Sequence, residues 1–289
     1  MAMSDDDKPG TPKDRHYARL RRAHRERQGG QRPGAMPRPR PGMPQIEPPP
    51  AGLVRLYGLH TVRAALDNPR RKISSMLVTR NALARLGLSE TEKSPFPLEI
   101  VEPRAIDRLV GPDAVHQGVV IDVAPLSPRR LSDLAEAHLL LVLDQVTDPH
   151  NVGAIMRSAV AFGVDALITT ARHSPAESGV LAKAASGALE HIDHIEVRNL
   201  ADALGELHAA GFHTIGLDSD GEAELEASFV GARLALVLGA EGKGLRHKTR
   251  ETVSALARLE MPGPIRSLNV SNAAAVSLYA ARRHLATAT

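Results

Sequence analysis

Leu139-Leu140-Leu141-Val142-Leu143 is followed closely by Asp148-Pro149-His150-Asn151-Val152-Gly153 and then by Arg157. The five apolar residues read as a strand buried on both faces, and the polar segment after them reads as the start of a helix. Asp148 is placed to cap it, Pro149 suits the first helical position, and Gly163 stops it. Val152, Ile155, Met156, Ala159 and Val160 fall on one face. At about 100° per residue, Arg157 stands about 140° away from Val152, off that stripe, and faces a site or solvent.

Further apolar runs at 164–168, 213–217, 234–238 and 255–259 are separated by segments at helical spacing. Continuous buried runs with helices between them predict an α/β fold with a mostly parallel sheet covered on both faces. Two more polar stretches adjoin such runs: Gly239-Ala240-Glu241-Gly242-Lys243-Gly244, and Arg266-Ser267-Leu268-Asn269-Val270-Ser271-Asn272. Ligands in α/β proteins bind at the ends of parallel strands, so the three segments are expected to form one site.

Each segment also has a purely structural explanation. Asn151-x-Gly153-x-x-x-Arg157 joins an amide, a glycine that lets backbone approach a ligand, and a guanidinium suited to phosphate or ribose oxygens; a capped helix with a solvated Arg would look the same. The glycine loop matches neither a Walker loop nor the G-x-G-x-x-G dinucleotide turn, and Gly-rich turns are common. Glu241 within it is more pointed, because a carboxylate between glycines has little packing to do. Of the four hydroxyl and amide side chains at 267–272, capping of the last helix explains one or two. That helix is predicted over about 270–286, with Val270, Ala274, Leu278, Ala281 and Leu285 along one side. His191-x-x-His194 lacks a third ligand and reads as solvated histidines. Phe96, Phe162, Phe212 and Phe229 read as core, while His60 and His116 are turn residues or RNA contacts.

Four regions are expected: a tail over 1–52, a small α/β unit over 53–124, a linker over 125–136 and a larger α/β domain over 137–289. Residues 1–50 carry 11 Lys/Arg against 6 Asp/Glu, and the remainder 25 against 27, so the positive excess lies in the tail. A basic, Pro-rich segment without apolar periodicity is expected to be disordered; it either touches phosphate backbones or merely solubilises the chain. Asp5-Asp6-Asp7 occupies the place where a signal peptide needs basic residues, and no apolar run approaches the ~20 residues of a membrane span. A soluble, cytoplasmic protein without a membrane partner is expected. Zero cysteines exclude disulfides, thiolate metal sites and Cys nucleophiles. With no Trp and 2% aromatics, RNA recognition has to rest on Arg, Lys, His and backbone groups.

In order and separation, the three segments over roughly 139–285 resemble the TrmH/SpoU branch of the SPOUT RNA methyltransferases. Leu56-Tyr57-Gly58-Leu59-His60-Thr61-Val62 and Ala114-Val115-His116-Gln117-Gly118-Val119 resemble the ribosomal-protein-like substrate-binding domain found in that family. The resemblance implies a C-terminal trefoil knot, S-adenosylmethionine as cofactor, a homodimer with the site near its interface, and methylation of a guanosine 2′-hydroxyl in 23S ribosomal RNA. Asn151 and Arg157, Glu241, and Ser267 and Asn269 match the family's substrate and catalytic positions. Gly239, Leu259 and Leu268 match its cofactor positions, and no metal is implied. Glu260 departs from the pattern, since relatives usually carry Pro there.

A ribose hydroxyl is a poor nucleophile, so orientation and electrostatics must supply most of the acceleration. Arg157 is expected to contact the ribose or its phosphate. A guanidinium holds its proton too firmly to be a good base, which leaves water, phosphate or Glu241 to take the proton. The missing Cys excludes pyrimidine C5 methylation by Cys attack. Transfer RNA as substrate and a non-catalytic RNA-binding or assembly factor stay open. A nucleotide-dependent oxidoreductase would need a glycine fingerprint that is absent.

Overall fold

The computed structural model describes residues 46–91 and 93–287. The tail up to residue 45 therefore lies outside the described residues. A small sheet contains β1 (Val54–Tyr57), β2 (Ile73–Val78), β3 (Leu98–Ile100) and β4 (Val119–Val123), in the order β1-β4-β2-β3. β4 runs antiparallel to both neighbours and β3 parallel to β2. Helices α1 (Leu59–Asp67), α2 (Arg80–Arg85) and α3 (Pro103–Val110) complete this lobe.

The larger lobe begins with β5 (Leu139–Asp144), which contains the apolar run Leu139 to Leu143. The helix after it, α4 (Pro149–Ala161), starts as expected: the Asp148 side chain accepts from the His150 amide at 2.9 Å, and Pro149 fills the first turn. There follow β6 (Ala166–Thr170), α5 (Gly179–Ala185), β7 (Asp193–Val197), α6 (Leu200–Ala209), β8 (His213–Leu217), the two-residue β9 (Ala223–Glu224), β10 (Leu234–Gly239), α7 (His247–Thr252), β11 (Ala255–Arg258) and α8 (Val270–Thr287). The sheet order is β7-β6-β5-β10-β8-β11-β9, parallel throughout.

Alternation along β5 divides the core. Leu139, Leu141 and Leu143 point into a cluster with Ile155 and Met156 of α4 and Ala274 and Leu278 of α8, while Leu140 and Val142 point into a second cluster with Leu204 and Leu207 of α6. Val270, Ala274, Leu278, Ala281 and Leu285 form the buried side of α8, as their spacing predicts.

Two elements depart from the sequence expectation. The strand expected at 164–168 starts at Ala166, because the Asp165 carboxylate accepts the amides of His138 and Leu139 at 2.8 and 2.9 Å and closes a turn there. β7 carries His194 into the sheet edge against Thr169 Oγ1 at 2.8 Å, so only the exposed His191 of that pair is solvated. Burial pushes the His194 imidazole below its ordinary pKa.

The lobes share a packed joint formed by α5 and residues 188–190. Thr61 Oγ1 donates to the Ala182 carbonyl at 3.2 Å, and Asn68 donates to Glu190 at 2.7 Å. Arg71, fully buried, donates to Glu190 and Glu177, at 2.6 Å in each case. Residues 46–52 run beside α3, with the Glu47 amide donating to the Arg108 carbonyl at 3.3 Å. No helix among the described residues is long and apolar enough to cross a membrane.

Candidate active site

Every parallel strand of the large sheet ends on one edge, and the three polar segments leave from that edge or return to it. With strands ~4.8 Å apart, the edge from β5 across β10 and β8 to β11 spans roughly 14 Å, about the length of a nucleoside with its substituents.

Direct contact joins the first and third segments. Asn269 Nδ2 donates to Asn151 Oδ1 at 3.1 Å, although 118 residues separate them. Asn269 also caps α8: its Oδ1 accepts from the Ser271 amide at 2.9 Å and hydroxyl at 2.6 Å, and its carbonyl accepts the amides of Asn272 and Ala273. Capping thus explains Asn269 and Ser271. Ser267 is exposed, without a hydrogen bond among the described residues, and Leu268 beside it is 42% exposed.

The glycine loop continues from β10. A Cβ at Gly239 would overlap the backbone of Gly244, because the loop folds straight back over the strand end. The Gly244 amide donates to the Ala240 carbonyl at 2.8 Å and closes the loop on itself. Gly239 is therefore required first by the chain's own return. Glu241, Gly242 and Lys243 at the tip are exposed; Gly242 has φ +76° and no neighbour within 4 Å of a hypothetical side chain. Leu259, just past β11, is half-buried against the core.

Arg157 projects from α4 into solvent, with no hydrogen bond or ion pair among the described residues. Six residues along a helix place it ~9 Å from Asn151 in rise, on a different face. Gly153 is required by packing. A Cβ there would meet the Leu181 carbonyl at 2.7 Å and the Ala185 amide at 2.8 Å, so this glycine exists to seat α4 on α5.

Thus Asn151 and Asn269 touch, Gly239 and Glu241 share the sheet edge with them, and Arg157 and Ser267 present unpaired polar groups. The sequence reading missed Asp144 and Arg246. Asp144 ends β5 fully buried and accepts from the Arg246 amide at 3.0 Å and its Nε at 2.6 Å. A carboxylate closing an apolar run was the available signal. Among the described residues, no group of three or more His, Cys, Asp or Glu side chains could hold a metal ion.

Known proteins resemble this chain in sequence and in fold. Residues 138–279 match the SpoU rRNA Methylase family, and residues 55–129 match the RNA 2′-O ribose methyltransferase substrate binding domain. The chain is 38% identical over 241 residues to the 23S rRNA (guanosine-2′-O-)-methyltransferase RlmB of Pseudomonas putida, covering 80% of this chain and 96% of that protein. The AdoMet-bound rRNA methyltransferase of Sinorhizobium meliloti superposes with a TM-score of 0.68 at 25% identity, over 81% of this chain and 88% of that one. The SpoU methyltransferase AviRb of Streptomyces viridochromogenes shares the fold, with a TM-score of 0.69 at 22% identity over 83% of this chain and 92% of that one. With two lobes matched in tandem and a relative of this identity aligned over four-fifths of this chain, the chain belongs to the SpoU rRNA methylase family.

Proposed function

We propose that this protein methylates the ribose 2′-hydroxyl of a guanosine in 23S ribosomal RNA, with S-adenosylmethionine as methyl donor. The Asn269–Asn151 hydrogen bond carries this reading: α4 and α8 pack through one apolar cluster, and the bond sets two polar amides together at the strand edge, where that packing does not require them. The residues present suit the cofactor: the glycine loop offers open backbone around Gly242, and Leu268 and half-buried Leu259 offer apolar surface for a purine. When bound, S-adenosylmethionine supplies an electrophilic methyl group.

The chain's own residues supply orientation and charge. Gly239, Leu259 and Leu268 form the cofactor side. Arg157, an exposed guanidinium with no internal partner, holds the ribose or its phosphate in a planar, multidentate grip. The hydroxyl proton passes to Glu241, the one carboxylate among the five substrate-side residues. Asn151 and Asn269 hold each other's amides in fixed orientation, and Ser267 offers a hydroxyl beside them.

The small lobe, 53–124, holds the RNA, and the domain at 137–289 carries the chemistry. That domain is trefoil-knotted in this reading. In support, residues 259–269 carry the chain from the end of β11 to Asn151, which follows β5, where Asn269 donates to it. The working unit is a cytoplasmic homodimer, supported by the exposed Val276 and Tyr279 three residues apart on α8.

The test is transfer of labelled methyl from S-adenosylmethionine to ribosomal and transfer RNA by purified protein. Label in a 2′-O-methylguanosine of 23S RNA is expected. Label confined to transfer RNA replaces the substrate, and cofactor binding without transfer points to a non-catalytic assembly factor.

A further inference from the structure

We propose that Asp144 and Arg246 are positioning residues that clamp the glycine loop in the shape the cofactor needs; the inference rests on the methyltransferase reading above. Asp144 stands opposite Gly239 in the β5–β10 register, directly beneath the point where the loop leaves the sheet. Its carboxylate is fully buried, and both of its hydrogen bonds among the described residues come from Arg246. A buried carboxylate without partners is strongly disfavoured, so the loop's far end is drawn back to the strand that begins the first segment.

Three further features make this return rigid. Gly239 admits the Gly244 backbone over itself, the Gly244 amide closes onto Ala240, and Leu245 is 5% exposed within the second core cluster. The loop is thus pinned at both ends, and only Glu241, Gly242 and Lys243 stand free. Gln145, next to the buried carboxylate, holds φ +63°, a left-handed conformation uncommon outside glycine. This local strain sits where β5 hands over to the Asn151 segment, as expected of backbone held for function. Neither Asp144 nor Arg246 has to touch the reacting atoms. Their effect runs through the placement of Glu241 and the loop backbone.

Asp144→Asn keeps size and one acceptor but loses the charge that orients the guanidinium. It is expected to raise the Kd and KM for S-adenosylmethionine by about tenfold or more, the scale of a charged hydrogen bond. Affinity for RNA should stay within about twofold and the far-ultraviolet spectrum should not change. Arg246→Ala should do the same, the double variant should be no worse than either single one, and Arg246→Lys should recover part of the loss. Hydrogen exchange at the Gly244 and Arg246 amides should quicken in Asp144→Asn even without cofactor. Wild-type affinity together with unchanged exchange in a folded Asp144→Asn protein overturns the clamp. If Asp144→Asn does not fold, the same two measurements on Arg246→Lys and Arg246→Ala decide. Failure of the wild-type protein itself to bind S-adenosylmethionine defeats the methyltransferase reading instead, and the exchange measurement still judges the clamp.

Discussion

Arg157 makes no hydrogen bond or ion pair among the described residues, so its proposed chemistry separates from its part in folding. Arg157→Ala should leave stability within about 0.5 kcal/mol, because surface side chains without partners contribute little. Turnover should fall about 100-fold or more, as when a charge-stabilising group is lost. Arg157→Lys should not restore it, since an ammonium cannot reproduce a planar fork. Thermal melts beside single-turnover kinetics check both statements. Gly239 is the opposite case: Gly239→Ala places a methyl group into the Gly244 backbone and should destabilise the protein by about 1–3 kcal/mol while abolishing cofactor binding, measured by denaturation and calorimetry. At this scale the sequence exposed residues whose chemistry has no packing duty, such as Arg157 and Glu241. It could not reveal why Gly153 is glycine, because the backbone it admits belongs to residues 181–185, nor that Asp144 and Arg246 meet across 102 positions.

Among the elements, α5 and the turn after it carry the joint between lobes, and the joint rests on one buried cation between two carboxylates. Arg71→Met should destabilise the protein by about 3–5 kcal/mol, because Glu190 would remain buried with Asn68 but without its cationic partner. Urea unfolding measures this. Glu177 adds a pH dependence. Burial pushes its carboxyl up from the ordinary range; Arg71 and the Leu126 amide pull it down, and Glu190 pushes it up further. Because its pKa is higher folded than unfolded, its contribution to stability is full at low pH and is lost as pH rises through the raised value. The unfolding free energy of wild type minus that of Glu177→Gln should therefore grow as pH falls from about 7 towards 4. A flat difference in parallel urea titrations would contradict this. The strands legible in the sequence were those whose runs are mostly apolar. β7 was not, because an edge strand bearing Asp193, His194 and Glu196 has no such run to display.

For the whole molecule, Tyr279 and Val276 stand half-exposed on α8, and the Tyr279 ring meets Phe162 edge-on at 6.0 Å between centroids. On the dimer proposal this face is covered by a second copy. Tyr279→Arg should then sediment as a monomer with much reduced methyl transfer, whereas unchanged sedimentation would place the contact elsewhere. The two-lobe plan and the shared strand edge were legible because both follow from apolar periodicity and from the order of three motifs. How the lobes dock was not, since that depends on Arg71, Glu177 and Glu190, which look like ordinary surface charges in a linear reading. On the proposed function, Asn151, Arg157, Glu241, Ser267 and Asn269 serve one methyl-transfer site acting on ribosomal RNA. Mass-spectrometric mapping of ribose methylation in 23S RNA, from a strain lacking this gene and complemented with wild type or Arg157→Ala, tests it most directly. One guanosine should lose its 2′-O-methyl group on deletion and regain it with wild type but not with Arg157→Ala; a methylation map unchanged by deletion, or restored equally by both proteins, would contradict the claim.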